Sequence, residues 1–118
     1  MKVFLAPYDG ALYEALKKVN CEVVVHRSPT KREAQTYFRE LRACNMGVFQ
    51  RASLLIHERE DVMIAVGLLI GAGAPVAEYL GPGGLVESPL NIPGMSTVYT
   101  VEALWSWLSG VAAQRARG

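Results

Sequence analysis

The stretch KVFLAPYDGALYEALKKVNCEVVV, residues 2–25, decides the fold class. It begins with a short apolar run that ends before Pro7, which predicts a buried strand. Asp9–Val19 then carries apolar side chains at helical spacing, which predicts an amphipathic helix. Cys21–Val25 is rich in β-branched residues, which are typical of a strand. A strand, a helix and a second strand in so short a stretch predict a parallel β-α-β unit.

The next part of the chain continues to alternate between helical and strand patterns. Thr30 to about Cys44 predicts a second helix, because it opens with the residue spacing of a capping box. The apolar run Ala52–Ile56 predicts the third strand. Val62–Ala72 predicts a third helix, preceded by acidic residues that suit the positive end of its dipole. Pro75–Tyr79 predicts a fourth strand.

The C-terminal part supplies a fifth strand and a fourth helix. Thr97–Tyr99 predicts a short strand, and Thr100 can cap the helix that follows it. The glycine- and proline-rich stretch Leu80–Ser96 predicts a functional loop or a short element that the pattern does not reveal. Together these elements predict a single α/β domain over residues 1–118. We expect a three-layer sandwich with a five-stranded, mostly parallel sheet in the flavodoxin-like order 2-1-3-4-5.

Composition excludes several classes of protein. The chain has 118 residues, a formal net charge of +1 and two cysteines, which argues against a polyanion-binding protein and a disulfide scaffold. Val62–Ala77 carries no charge, but it is shorter than the roughly 20 residues that span a bilayer, and Pro75 interrupts it. Met1–Ala6 is too short for a secretion signal. We therefore expect a cytoplasmic protein that binds neither nucleic acid nor membranes.

Polar residues follow the first three predicted strands, at the edge where a parallel sheet places its ligand-binding crevice. They are Tyr8 and Asp9 after the first strand, His26 and Arg27 after the second, and His57, Glu58 and Arg59 after the third. We expect one concave ligand-binding site at this edge. Its predicted lining residues are Tyr8, Asp9, His57, Glu58 and Asp61. The alternative is that these positions are polar only because they lie in surface loops.

The sequence does not predict a metal or cofactor site. His26 and His57 stand alone, without the closely spaced second ligand that is typical of zinc sites. No Gly-x-Ser-x-Gly nucleophile motif is present. The glycines of Gly71–Gly73 end a predicted helix, whereas a dinucleotide-binding fingerprint opens one. We therefore expect no metal and no cofactor.

Three stretches resemble nucleoside 2-deoxyribosyltransferases. MKVFLAPY (Met1–Tyr8) is similar to the first strand and substrate loop of that family. ASLLIHEREDVMIAVGLLIGAGAPV (Ala52–Val76) is similar to its core strand, acidic loop and helix, and TVYTVEALWSWL (Thr97–Leu108) to its last strand and helix. The resemblance implies a pocket that accepts a nucleoside.

The same resemblance also implies that the catalytic residue is missing. The family's helix motif is Glu-x-Gly-x-Ala-x-Ala-x-Gly-Lys-Pro-Val, and its glutamate is the nucleophile. Aligned on Gly73, Pro75 and Val76, the motif places Gly67 on its first glycine and Ala65 on the glutamate. An alanine cannot form the glycosyl-enzyme ester that covalent catalysis requires. We therefore expect the usual transferase activity to be absent.

Three functions stay open. The first is a domain that binds a nucleoside- or nucleotide-like small molecule without catalysis. The second is a nucleoside N-glycosidase or deoxyribosyltransferase that uses a displaced acid, either Asp61 or Glu58. The third is a protein-association domain whose pocket is vestigial.

The third predicted helix also suggests a partner. Val62–Ala72 contains no polar side chain, whereas the first two helices keep charged residues on their outer faces. An apolar surface of several hundred Å² usually marks an interface. We therefore expect a homodimer through helix 62–72, unless the last helix or the long loop covers this face. The resemblance implies assembly through the same region.

Overall fold

Five parallel strands form one sheet, in the order β2-β1-β3-β4-β5, in the computed structural model of the chain. The strands are β1 (Lys2–Ala6), β2 (Glu22–Val25), β3 (Met46–Phe49), β4 (Val76–Tyr79) and β5 (Met95–Val98). The structure describes residues 1–27, 29–80 and 92–117. The predicted fold class and strand order are confirmed, and every described strand pair is parallel.

Helices cover both faces of the sheet. They are α1 (Gly10–Lys18), α2 (Ala34–Arg42), α3 (Ile56–Gly71) and α4 (Val101–Arg117). Leu16 of α1 and Leu104 of α4 pack against one face, in a core that contains Val48. Leu41 of α2 and Leu69 of α3 pack against the other. The strands thus have a core on each side, which explains why their sequences are nearly continuous apolar runs.

The third strand is not where the sequence pattern placed it. The predicted strand Ala52–Ile56 is wrong: the segment includes part of a short 3-10 helix, Arg51–Ser53, and ends at the first residue of α3. Leu55 and Ile56 are 60% and 85% exposed, so the run does not build a core strand. The third strand is Met46–Phe49, and all four of its residues are buried.

The position of Gly47 explains both the location of β3 and why the pattern missed it. Glycine near a helix end usually stops the helix, so the sequence around Gly47 predicts a turn. In the structure Gly47 lies inside the strand, opposite Phe4 of β1. A Cβ atom built on Gly47 would lie 2.8 Å from Cδ1 of Leu69. Glycine is required here because α3 packs directly onto the strand.

Helix α3 begins one turn earlier than predicted. It starts at Ile56, before the acidic pair that the sequence suggested as its opening. His57, Glu58 and Arg59 therefore belong to its first turn, and the prediction that they directly follow the third strand is wrong. The short 3-10 helix separates β3 from α3, so the sheet edge after β3 is occupied by residues 50–53.

Side chains fix the starts of the helices in different ways. The Asp9 carboxylate accepts a hydrogen bond from the backbone of α1 at 3.0 Å, and the Thr100 hydroxyl accepts one from the backbone of α4 at 3.0 Å. The capping box predicted at Thr30 does not form. Its hydroxyl donates instead to the Glu33 carboxylate at 2.9 Å, and α2 begins only at Ala34.

The long irregular stretch predicted over Leu80–Ser96 lies mostly outside the described residues. Its last two residues belong to β5, which starts at Met95. Among the helices of the described residues, none has the length and apolar character needed to cross a membrane.

We predict that Gly47→Val destabilises the fold by about 1–3 kcal/mol, because overpacking forces neighbouring side chains out of their favoured positions. Leu69 is 2% exposed and has little room to move away. The measurement is urea-induced unfolding followed by circular dichroism. The control is Gly110→Ala in α4, where an added Cβ meets nothing within 4 Å and helix propensity should raise stability by roughly 0.5–1 kcal/mol. Equal stability of the Gly47→Val variant and the unchanged chain would contradict this packing.

Candidate functional site

The carboxyl ends of β1, β2 and β3 meet at one edge of the sheet. The strand order reverses between β1 and β3, because β2 lies on one side of β1 and β3 lies on the other. As a consequence, α1 and α3 lie on opposite faces of the sheet. In open parallel sheets such a reversal creates a crevice, and ligands bind in it. The groups near this edge therefore form the candidate site.

A histidine and a tyrosine form the centre of the candidate site. His26 follows β2 directly, and its backbone N–H donates to the carbonyl of Leu5 in β1 at 2.9 Å. Its Nδ1 lies 2.9 Å from the hydroxyl of Tyr37 in α2, and its ring meets Phe4 edge to face at 6.2 Å. Both residues are buried, with exposures of 9% for His26 and 3% for Tyr37. The pair thus joins the second strand to the second helix.

The second ring nitrogen of His26 has no hydrogen-bond partner within the described part of the chain. The hydroxyl of Tyr37 can donate to Nδ1, which leaves the imidazole proton on Nε2, or it can accept from Nδ1–H. Nε2 is buried in either arrangement. A buried polar atom without a partner costs about 1–3 kcal/mol, so Nε2 would be stabilised by a water or a ligand group that reached it.

Burial and two acids set the protonation of this pair. Burial lowers the pKa of His26 from its ordinary value of 6.5, and the carboxylates of Glu58 and Asp61 oppose that shift. Burial raises the pKa of Tyr37 to about 12, and the negative charge of Asp61 adds to the effect. Near pH 7 the site therefore holds a neutral imidazole and a protonated phenol beside two carboxyl groups.

The structure places the predicted site residues in two groups. Glu58 and Asp61, in the first two turns of α3, are close enough to His26 to act on its pKa. Tyr8 and Asp9 make their described contacts with α1: the Tyr8 ring lies 5.5 Å from that of Tyr13, and Asp9 caps the helix.

Two of the predicted residues are less suited to ligand binding than the sequence suggested. One carboxylate oxygen of Glu58 accepts the backbone N–H of Leu55 at 3.2 Å, so this acid also holds the start of α3. His57 is exposed on the first turn of α3. Tyr37 was not predicted for the site at all, because it has the helical spacing of an ordinary core residue.

A buried ion pair lies at the same edge and was also missed. Glu78 in β4 is fully buried, and its carboxylate is 3.1 Å from Nε of Arg51 in the 3-10 helix. A carboxylate in an otherwise apolar strand is the signal that could have identified it, since buried charges require a partner. The pair connects the segment after β3 to the neighbouring strand.

Ala65, the residue that the resemblance places at a nucleophile position, lies in the core. It is 1% exposed and packs in the same core as Val66 and Leu69. Asp61 precedes it by one turn of α3 and is exposed. The acid nearest to that position along the helix therefore lies at the edge of the sheet, beside the His26–Tyr37 pair.

Among the described residues, no cluster of histidine, cysteine, aspartate and glutamate could hold a metal ion. Comparisons of the chain with family models, with curated proteins and with solved structures find no match. The resemblance to nucleoside 2-deoxyribosyltransferases thus stays a prediction from the sequence.

We predict that His26 titrates below 6.5 and that this makes the fold sensitive to acid. The folded state holds the imidazole neutral, so the unfolded chain binds more protons below its own pKa, and stability falls as the pH drops through about 6.5. The chain has two histidines, so His57→Gln leaves one imidazole signal for an NMR titration. A midpoint at or above 6.5 for that signal would show that burial does not control His26.

We predict that Glu78→Gln destabilises the fold by about 1–3 kcal/mol, because it removes the charge of a fully buried carboxylate from its ion pair with Arg51, whose side chain is 16% exposed. Chemical unfolding at pH 7 measures the change. Glu22→Gln is the matched control: its carboxylate is 73% exposed and lies 4.0 Å from Lys2, so stability should change by less than about 1 kcal/mol. Similar losses in the two variants would contradict a special role for the buried pair.

Proposed function

We propose that this domain binds a nucleoside- or nucleotide-like small molecule at the carboxyl edge of β1, β2 and β3, without transferring deoxyribose. The observation that carries the proposal is the convergence of His26, Tyr37 and Asp61 at the point where the strand order reverses. These groups come from three different elements, and small-molecule sites typically combine such convergent polar groups with apolar walls.

The chemistry of these groups suits an uncharged polar ligand. A neutral imidazole nitrogen can exchange a hydrogen bond with a nucleobase edge, and a carboxylate can accept from sugar hydroxyls. Tyr8 is 59% exposed after β1, and its ring could stack on a base. The negative charge of Glu58 and Asp61 favours a nucleoside over its phosphate, because like charges repel.

We expect no deoxyribosyl transfer because residue 65 is an alanine. A covalent mechanism needs a carboxylate that reaches the sugar, and Ala65 provides neither the carboxylate nor access. Asp61 is the one specific reason to keep an enzymatic alternative, since it is exposed and acts on the pKa of both His26 and Tyr37. In that alternative Asp61 would serve as the displaced nucleophile.

The test is a thermal-shift screen of the purified chain against nucleosides, nucleotides and sugar phosphates. A ligand at roughly 100 times its Kd should add about 2.7 kcal/mol of stability, and we expect the largest shift with a nucleoside. Asp61→Asn should reduce the shift, whereas Glu60→Gln, its exposed neighbour on α3, should leave it unchanged.

The other outcomes separate the alternatives. Release of free base from a deoxynucleoside, lost in Asp61→Asn, would replace the binding proposal with the enzyme that uses a displaced acid. Absence of a shift with every compound would overturn the proposal and favour a protein-association domain with a vestigial pocket.

A further inference from the structure

The outer face of α2 carries two arginines that have no acidic partner. The helix packs on the sheet through Tyr37 and Leu41. Its opposite face presents four residues that we call the α2 surface: Gln35, Phe38, Arg39 and Arg42. Gln35 and both arginines are exposed, and Phe38 is half-buried. Neither arginine forms an ion pair with any residue in the described part of the chain.

Several other basic residues contact a partner within the chain. The guanidinium of Arg27, for example, lies 2.9 Å from the carboxylate of Glu33. Residues three and four positions apart are neighbours on a helix surface, and α2 places no acid at that distance from either arginine of the α2 surface. Their neighbours within α2 are Gln35, Thr36, Phe38 and the other arginine. The local sequence thus leaves both charges directed only to solvent or to a partner.

The helix dipole accounts for only part of this charge. Arg39 and Arg42 are in the last turn of α2, where the dipole favours cations. Lys31 and Arg32 are also exposed, and they lie just before the first turn, where the same dipole disfavours cations. The stability of α2 therefore does not explain why cations occur at both of its ends.

The α2 surface also has the composition of an interface. Its four side chains line a depression of about 330 Å³. Arginine and aromatic residues are enriched at protein interfaces, whereas lysine is depleted there, and the planar guanidinium suits interfacial ion pairs. The basic residues of α1, by contrast, are the exposed lysines Lys17 and Lys18. The two helices thus differ in the kind of cation that they present to solvent.

We propose that the α2 surface binds an acidic amphipathic helix of a partner protein. Carboxylate-bearing residues three or four positions apart on such a helix are separated by about 5–6 Å, and Arg39 and Arg42 have the same helical spacing. An apolar side chain of the partner would fill the depression beside Phe38. Single-stranded nucleic acid fits less well, because its bases need exposed aromatic rings on which to stack. The interaction uses none of the groups proposed to bind the small molecule.

The probe is a designed helical peptide of about 20 residues, long enough to form a helix in isolation, with glutamate and leucine on one face. The control peptide has the same composition, with its glutamates distributed around the helix. Fluorescence anisotropy of the labelled peptide measures binding to the full chain at low salt. We expect the patterned peptide to bind at least roughly tenfold more tightly than the control, and added salt to weaken its binding.

Two variants test whether the peptide binds to α2. Arg39→Glu/Arg42→Glu should weaken binding of the patterned peptide at least roughly tenfold, and should bind a version with lysine in place of glutamate. Gln35→Glu places a carboxylate four positions before Arg39, so it should stabilise the helix and still weaken binding of the peptide. A purely structural role for these residues predicts no loss of binding in a variant whose helix is more stable. Circular dichroism checks that each variant is folded.

The remaining outcomes are decided by controls. Lys17→Glu/Lys18→Glu reverses two charges on the opposite face of the sheet and should leave binding unchanged. Equal affinity for the two peptides, or equal losses in the α1 and α2 variants, would overturn the proposal. Tighter binding of oligothymidylate that is lost in Arg39→Glu/Arg42→Glu would assign the surface to nucleic acid instead. A change in the sedimentation mass of the chain alone in that variant would assign it to a second copy, and either result would also overturn the proposal.

Discussion

The close approach of α3 to β3 at Gly47 is the constraint on which the arrangement of the sheet edge depends. With only a hydrogen atom at that position, Leu69 reaches the strand surface, where an added Cβ would lie 2.8 Å from its Cδ1. This contact anchors α3 over the middle of the sheet. The first turns of the helix then extend to the edge, which brings Glu58 and Asp61 near His26. A bulkier residue in β3 would push α3 outward and move both acids.

The sequence correctly predicted those helices and strands whose residues fit only one kind of secondary structure. β1, α1 and β2 have distinct periods and clear ends, and a right-handed crossover decides on which face of the sheet α1 lies. The prediction of β3 failed because its sequence has two conflicting signals. Its four residues are apolar, but Gly47 is also typical of a helix end. The neighbouring run Ala52–Ile56 looks more like a strand, and only the packing of α3 shows that it is not one.

The candidate site was predictable in location but not in composition. Because parallel strands end at one edge, residues such as His26 could be placed there from the order of the elements alone. The role of Tyr37 depends on a tertiary contact between α2 and the end of β2, and helical spacing does not distinguish it from a core residue. Asp9 and Glu58 also accept hydrogen bonds at the starts of helices. This local role is enough to explain an acid at either position, so the sequence alone does not distinguish a helix cap from a ligand-binding residue.

The buried pair of Arg51 and Glu78 has a consequence for how this sequence can change over generations. Loss of either residue alone should lower stability, because each contributes one charge to a pair that is largely removed from water. A lineage that loses one should therefore be rare unless it loses both, or acquires a neutral pair of similar volume. Substitutions at these two positions should therefore be inherited together.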